Sequence, residues 1–339
     1  MPVIDADAHV IETERTWQYM DETESRFRPV TVTSSTDPGK QFWLIDGKVF
    51  NRGSNVGRDT SEASREMKDI EARLRHMDEL GVDIQVLFPS VFLRPLTNRP
   101  EVENALCKSY NRWLAEIYTK GERRLHWAAI LPLLDMDNAL AQARWVKENG
   151  ACAYFTRAIP EDRLLTDNYF DPLYAEASRL NVPLCVHAST GSFHWNGVFE
   201  QEIGFAKFKL PVVSTFHSIV YDGLMERFPS LKAGFIEVSA QWVPYAIHDL
   251  AKRFQRRGRT LSPHFMREMR LYVACQTDDD IDYILKYTGE DNVLIGSDYG
   301  HADTATEIEA LQSLKHRGEL DPRVIEKILD DNPTALYNL

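Results

Sequence analysis

Three ionisable residues alternate with small apolar residues close to the start of the chain. Asp5, Asp7 and His9 occupy every second position of the run VIDADAHV. If this run is a β-strand, side chains two residues apart lie on the same face, so all three groups point the same way. Unpaired carboxylates are costly to bury. The pattern therefore predicts either half of a metal site or an edge strand whose polar face meets water.

The size and charge of the chain limit the kinds of protein it can be. It has 339 residues, a net charge of −12 and 43% hydrophobic residues. This composition allows a large core, and the negative charge argues against nucleic acid or an anionic membrane as the main partner. No basic segment precedes an apolar stretch of signal or membrane-spanning length. We therefore expect a cytoplasmic protein whose partner is a small molecule.

Short apolar runs alternate with segments of helical periodicity along most of the chain. Eight strand-like runs lie at 3–10, 84–89, 125–133, 151–156, 183–188, 232–238, 271–276 and 293–297. Helical spacing follows them at 66–80, 101–118, 135–148, 171–180, 205–227, 242–256, 279–287 and 304–315, with a last short helix at 322–329. The repeat predicts a single α/β domain over residues 1–339, a parallel sheet closed as a (β/α)8 TIM barrel. A doubly wound open sheet is the alternative.

One insertion interrupts the repeat after the first strand. Residues 28–59 are rich in Pro, Gly, Ser and Asn, and Asp46-Gly47 separates the apolar arms FWLI and KVF. An Asp-Gly pair between apolar arms predicts a β-hairpin. Because the insertion follows a strand on the catalytic side of a barrel, it is either a lid over the site or a structural ornament.

Polar side chains stand at the carboxyl ends of four predicted strands. Asp7 and His9 end the first strand, His187 the fifth, Glu237 the sixth and Asp298 the eighth. In a parallel barrel these ends meet on one face, so the side chains become neighbours. Carboxylate and imidazole groups are metal ligands. Their joint occurrence predicts a metal or catalytic cluster.

Six segments carry distinctive combinations of residues. They are IDADAH at 4–9, VH at 186–187, RFPSLK at 227–232 leading into FIE at 235–237, QWVPY at 241–245, GSDYGH at 296–301 and NPTALY at 332–337. Together they resemble amidohydrolase-related proteins, in particular the branch that contains aminocarboxymuconate semialdehyde decarboxylase. The resemblance implies a metal-dependent (β/α)8 barrel in which Asp7, His9, His187 and Asp298 hold a divalent metal.

Two departures from that family add carboxylate to the site. Family members usually have His-x-His or Glu-x-His on the first strand, where this chain has Asp7-x-His9. Many of the decarboxylases have a histidine where this chain has Glu237. Oxygen-rich ligand sets favour harder ions, so the sequence leaves zinc, manganese and iron open.

Two reactions follow from a metal at this position. In hydrolysis, the metal lowers the pKa of a bound water while Asp298 or Glu237 moves the proton. In nonoxidative decarboxylation, the metal holds a carboxylate and an adjacent hydroxyl of the substrate, and His217 protonates the carbon. The alternative for His217 is a packed or solvated residue on a helix surface.

The candidates for substrate binding are one arginine and two tryptophans. Arg157 follows the fourth strand and would pair either with a substrate carboxylate or with another residue. Trp17 and Trp242 would line a pocket for a planar acid, although most aromatic residues of such a chain belong to the core. These residues favour a small aromatic or carboxylate-bearing substrate.

The chain has more metal donors than one ion needs. Glu12, Glu237 and His301 are candidate additional ligands. The alternative for His301 is to orient Asp298 or a metal-bound water, and the alternative for Glu12 is a salt bridge. A bridging carboxylate would allow two ions, and the fold family resembles a branch of dinuclear non-haem iron or manganese monooxygenases. A third interpretation is a non-catalytic barrel subunit with a degenerate site. The apolar stretch 91–96 would suit a homodimer if it is exposed.

Overall fold

Parallel strands form the centre of the structure, a computed structural model that describes residues 1–37, 39–53 and 55–339. In chain order the strands are β1 (Ile4–His9), β2 (Val30–Thr33), β3 (Gln41–Ile45), β4 (Lys48–Asn51), β5 (Ile84–Phe88), β6 (Leu125–Ile130), β7 (Ala151–Thr156), β8 (Leu184–His187), β9 (Ala233–Ile236), β10 (Leu271–Cys275) and β11 (Val293–Ile295). Eight of them form one sheet in the order β1-β5-β6-β7-β8-β9-β10-β11, with all neighbours parallel.

Helices follow the barrel strands and pack their apolar faces against them. They are α1 (Glu62–Arg65), α2 (Ile70–Glu79), α3 (Pro100–Lys120), α4 (Met136–Glu148), α5 (Asp171–Leu180), α6 (Phe193–Val198), α7 (Leu210–Tyr221), α8 (Leu224–Arg227), α9 (Val243–Arg256), α10 (Phe265–Glu268), α11 (Ile281–Thr288), α12 (Ala310–Lys315), α13 (Pro322–Glu326) and α14 (Asn332–Tyr337). None of the helices in the described residues combines the length and the apolar composition of a membrane span.

The helix predicted at 205–227 is divided in the structure. It begins as a π-helical turn, Phe205–Lys209, and continues as α7 and α8. The two α-helices are separated at Gly223, whose φ of 72° lies in the left-handed region that glycine adopts without steric cost. The strongly periodic segments 135–148 and 171–180 match α4 and α5 within one residue.

A β-bulge in β1 changes the direction of the Asp5 side chain from the one predicted. Asp5 pairs with Gln85 and His9 pairs with Phe88, but two residues of β1 lie opposite one residue of β5 between these pairs. Because side chains alternate along a strand, the extra residue puts Asp5 and His9 on opposite faces of the sheet. The prediction that Asp5 points the same way as Asp7 and His9 is therefore wrong.

The last strand meets the first and closes the barrel. The backbone N–H of Asp298 donates to Asp7 O at 2.9 Å, and that of His9 donates to Tyr299 O at 2.8 Å. Gly296 lies in this seam, where a Cβ atom would be only 2.3 Å from Asp7 Cβ. The missing side chain lets the two strands approach each other. With this closure, the predicted (β/α)8 barrel is confirmed.

The inserted segment forms a separate antiparallel sheet in the order β2-β3-β4. Its β3–β4 hairpin turns at Asp46 and Gly47, with φ angles of 48° and 73°, as a tight two-residue turn of this kind requires. The end of the insertion is tied to the loop after β11, where the backbone N–H of Gly57 donates to Gly300 O at 2.8 Å. The hairpin therefore stands beside the carboxyl end of the barrel.

The apolar stretch 91–96 is not the exposed surface that the sequence suggested. Phe92, Leu93 and Leu96 are 4%, 7% and 5% exposed and belong to the core. Since a dimer surface must be accessible in the single chain, this stretch gives no support for a homodimer.

We expect Gly296→Ala to destabilise the fold by about 1–3 kcal/mol, because the added methyl group overlaps Asp7 at the closing seam. Chemical denaturation would measure the free energy of unfolding. The control is Gly318→Ala, since a Cβ atom there meets nothing within 4 Å. Equal stability of Gly296→Ala and the wild type would contradict the tight seam.

Candidate metal centre

Six ionisable side chains meet at the carboxyl end of the barrel. Their ligand atoms form two overlapping groups. Within each group, all the ligand atoms lie within 4.8 Å of one another. The groups are Asp7, His9, His187 and Glu237, and His9, Glu237, Asp298 and His301. All six side chains are buried. The structure thus brings together residues from both ends of the chain and from its middle.

Several ligand atoms lie close to one another but form no hydrogen bonds. His187 Nε2 lies 3.2 Å from both Asp7 Oδ1 and Glu237 Oε2. His9 Nε2 lies 3.5 Å from Glu237 Oε2 and 3.4 Å from Asp298 Oδ1. His9 Nε2, Glu237 Oε2 and Asp298 Oδ1 are buried and have no hydrogen-bond partner of acceptable geometry. Buried polar atoms without partners are costly, so a common cation would stabilise this arrangement.

Two of the histidines are held in the form that binds metals. His9 Nδ1 lies 2.9 Å from Pro89 O, and His187 Nδ1 lies 3.0 Å from Ala188 O. A carbonyl oxygen only accepts, so Nδ1 of each ring carries a proton and Nε2 is the nitrogen that can bind an ion. Both Nε2 atoms face the cluster, as in histidines that ligate metals.

A cation would also stabilise the contact between His301 and Asp298. Ser90 Oγ donates to Val10 O at 2.7 Å, so His301 Nε2 must donate its own proton to Ser90 Oγ at 2.7 Å. His301 Nδ1 therefore presents a lone pair to Asp298 Oδ1, only 2.8 Å away. Burial lowers the pKa of His301, which disfavours a second proton on the ring. A metal ion bound by both atoms would remove the repulsion.

The two carboxylates that follow strands have unusual backbone conformations. Glu237 has a φ of 64° and Asp298 a φ of 52°, in the left-handed region that costs a residue with a side chain about 1–3 kcal/mol. Such conformations persist only where the surrounding structure determines them, and they cluster at functional sites. The Asp298 carboxylate is further fixed by Thr306, whose hydroxyl donates to Oδ2 at 2.5 Å.

Burial and mutual charge shift the pKa values of the cluster. Burial alone would raise the pKa of Asp7, but His187 and His9 hold it well below its usual range. Burial would lower the pKa of both histidines, but the neighbouring carboxylates raise it. Burial and the charge of Asp298 raise the pKa of Glu237 well above its usual value. A bound cation would favour the charged form of every carboxylate here.

Glu12, predicted as an additional ligand, lies outside the cluster. Its carboxylate accepts hydrogen bonds of 3.0 Å from the backbone N–H groups of Ser90 and Val91. Burial raises the pKa of Glu12 to about 7. Glu12 thus fixes the loop that supports His301 through Ser90.

Four other predicted site residues are not brought to the cluster. His217 lies on α7 with Nε2 2.8 Å from Asp249 Oδ2, and Arg157 pairs with Glu161 at 2.6 Å. Trp17 is fully buried behind Trp43, and the Trp242 indole N–H donates to Ser239 O at 2.7 Å. None of the four is among the described residues that line the cavity beside the cluster. Local sequence patterns could not reveal which way these side chains point.

A cavity of about 660 Å³ opens beside the cluster, and Glu237 and His301 form part of its wall. Seven further residues of this wall were not among the predicted site residues. They are Trp43, Phe50 and Arg52 of the insertion, Arg94 after β5, and Phe205, Phe208 and Lys209 before α7. The signals available were the position of Arg94 in the loop after β5 and the predicted lid that contains Trp43 and Phe50. Mainly apolar walls with a few polar groups suit a small organic molecule.

Comparisons with known proteins match this architecture. The family model described as amidohydrolase matches residues 4–339. The structure is similar to an amidohydrolase from Mycobacterium avium subsp. paratuberculosis K-10, with a TM-score of 0.81 and 21% identity over 99% of each chain. It is also similar to 5-carboxyvanillate decarboxylase from Novosphingobium aromaticivorans with bound manganese, with a TM-score of 0.72 and 16% identity over 100% of this chain and 97% of that one. For 4-oxalomesaconate hydratase from Rhodopseudomonas palustris the TM-score is 0.66, with 18% identity over 99% and 95% of the two chains.

We expect His187→Ala to lower metal affinity by more than about 100-fold, because a lost ligand costs more than a lost supporting residue. Elemental analysis after reconstitution would give the metal content, and circular dichroism would verify folding. His217→Ala is the matched control and should keep the wild-type metal content, since His217 pairs with Asp249 outside the cluster. Unchanged metal content in His187→Ala would exclude His187 as a ligand.

Proposed function

Because this chain belongs to the amidohydrolase family, we propose that it is a metal-dependent hydrolase or nonoxidative decarboxylase of a small organic molecule. One observation carries the proposal: buried, unpartnered ligand atoms converge where the cluster meets a cavity. The structural likeness to a decarboxylase supports it. The likeness to a hydratase does so as well.

The proposed ligands of a divalent ion are Asp7, His9, His187 and Asp298. Glu237 is in contact with two of them, and His301 Nδ1, beside Asp298 Oδ1, is a further donor. When bound, such an ion polarises a substrate oxygen and makes a bound water more acidic. The oxygen-rich set favours a hard ion such as manganese, and the manganese-bound relative agrees with that choice.

One ion fits the cluster better than two. His9 and Glu237 belong to both ligand groups. An imidazole nitrogen has a single lone pair, so His9 Nε2 serves one ion only. Asp298 is already a proposed ligand of the first ion, so the second group would then keep no more than His301 as an unshared donor, with Glu237 shared. The shared donors favour mononuclear chemistry over the dinuclear oxygenase, and the relatives are a decarboxylase and a hydratase rather than oxygenases.

Glu237 is the proposed group for proton transfer. Its carboxyl lies in the cluster, and the residue also forms part of the cavity wall. It can therefore take a proton on the metal side and deliver it on the substrate side. Surface His217 does not fit this role, because it lies on α7 and its Nε2 faces Asp249.

The insertion is proposed as a lid. Trp43 and Phe50 face each other across the β3–β4 pair, and both line the cavity. Trp43 is 3% exposed, with Trp17 packed behind it. Apolar side chains over the cluster would exclude water from the substrate and strengthen the electrostatic interactions around it.

The test is an activity screen of the manganese-reconstituted protein against two substrate classes. Hydroxybenzoates with an ortho carboxylate would report decarboxylation by release of carbon dioxide, and aryl esters, amides and lactones would report hydrolysis. We expect turnover in one class that is lost in His187→Ala. Turnover in neither class above that variant, or substrate-dependent oxygen uptake, would contradict the proposal.

We expect Glu237→Gln to reduce kcat by about 10²–10⁴-fold, since the amide cannot transfer the proton. The ion should remain bound through the other ligands, so elemental analysis should show wild-type metal content. Steady-state kinetics on the substrate found in the screen would measure the effect. Wild-type kcat in this variant would remove Glu237 from proton transfer.

A further inference from the structure

Arg94, in the cavity wall, has neither a salt-bridge nor a hydrogen-bond partner among the described residues. Arg94 ends a short turn after β5, and its side chain lines the cavity with Glu237 and His301. In the described parts of the chain, no acidic group acts on the Arg94 guanidinium, and no hydrogen bond reaches it. The residues outside those parts, Pro38 and Ser54, are uncharged by type. The positive charge of Arg94 is therefore not balanced by the chain itself.

The other two cations of the cavity wall differ from Arg94. Arg52 Nη1 donates to Glu14 Oε1 at 2.8 Å, and Lys209 Nζ donates to Thr304 Oγ1 at 3.0 Å. Both are already engaged by protein groups. Of these three cations, Arg94 alone has no hydrogen-bond partner among the described residues.

Leaving a guanidinium without partners in a cavity wall is unfavourable. Arg94 is only partly exposed, and burial lowers the pKa of its side chain. Arginine nevertheless stays protonated in proteins, so the group cannot escape the cost by losing its proton. An anion from outside the chain would satisfy its donors and compensate its charge.

We infer that Arg94 binds a carboxylate of the substrate, and that the substrate is an organic acid with an apolar body. The planar guanidinium matches a carboxylate with two parallel hydrogen bonds. The aromatic side chains of Trp43, Phe50, Phe205 and Phe208 provide apolar surface in the same cavity. This inference rests on the proposed function, because it takes the cavity as the substrate site. It assigns to Arg94 the role that the sequence suggested for Arg157.

Isothermal titration calorimetry on the manganese-reconstituted protein tests the inference with 2-naphthoate and its neutral analogue 2-naphthamide. We expect the wild type to prefer the carboxylate, and Arg94→Met to weaken naphthoate binding by about 10- to 100-fold. Naphthamide binding should not change. Arg94→Lys should lie between the two, because it keeps the charge and loses the planar fork.

Arg58→Met is the matched control. Arg58 is exposed and is not among the described residues of the cavity wall, so this variant removes the same charge without touching the cavity. It should bind naphthoate as the wild type does. If Arg94→Met does not fold, as judged by circular dichroism, Arg94→Lys alone must show weaker binding of naphthoate.

The outcomes separate this inference from the proposed function. Loss of metal from the wild type would contradict the proposed function, and elemental analysis of the same samples detects it. Equal naphthoate affinity in the wild type and Arg94→Met would overturn the role of Arg94. A wild type that binds naphthoate no better than naphthamide would overturn it as well.

Discussion

Three carboxyl groups and three imidazoles share one buried space at the carboxyl end of the barrel, and this concentration of ligand groups constrains the rest of the structure. Paired lone pairs, such as those of His301 and Asp298 at 2.8 Å, repel each other without a proton or an ion between them. A divalent cation resolves the conflict for the whole cluster. The folded chain is therefore organised to hold these groups together for an ion.

A second buried network lies next to the cluster and holds it in place. The Asp5 carboxylate accepts hydrogen bonds from the backbone and hydroxyl of Ser297 and from Gln85, at 2.6–2.9 Å. Gln85 in turn accepts from Arg73 of α2, which also donates to the backbone of His9 at 3.2 Å. Burial raises the pKa of Asp5 to about 6. Asp5 thus supports the first and last strands at the seam from which Asp7 and Asp298 are presented.

The same end of the barrel combines charge of both signs around an apolar cavity. The cluster supplies the carboxylates that a metal neutralises, and Arg94 supplies a positive charge that the protein leaves unbalanced. Aromatic residues of the insertion and of the turn before α7 line the same cavity. A substrate with a carboxylate and an apolar body complements all three features.

Local residue patterns were enough to predict the barrel and most of the cluster. Alternation of apolar runs and helical segments is a local property, and the rule that parallel strands end on one face made neighbours of His187, Glu237 and Asp298. Two features could be seen only in the tertiary structure. They are the extra residue in β1 and the direction of the Arg94 side chain. The bulge in β1 separated Asp5 from His9, and packing between distant segments exposed Arg94 to the cavity. Neither a strand register nor the direction of a loop side chain is encoded by local residue types, because both are fixed by contacts with segments far away in the chain.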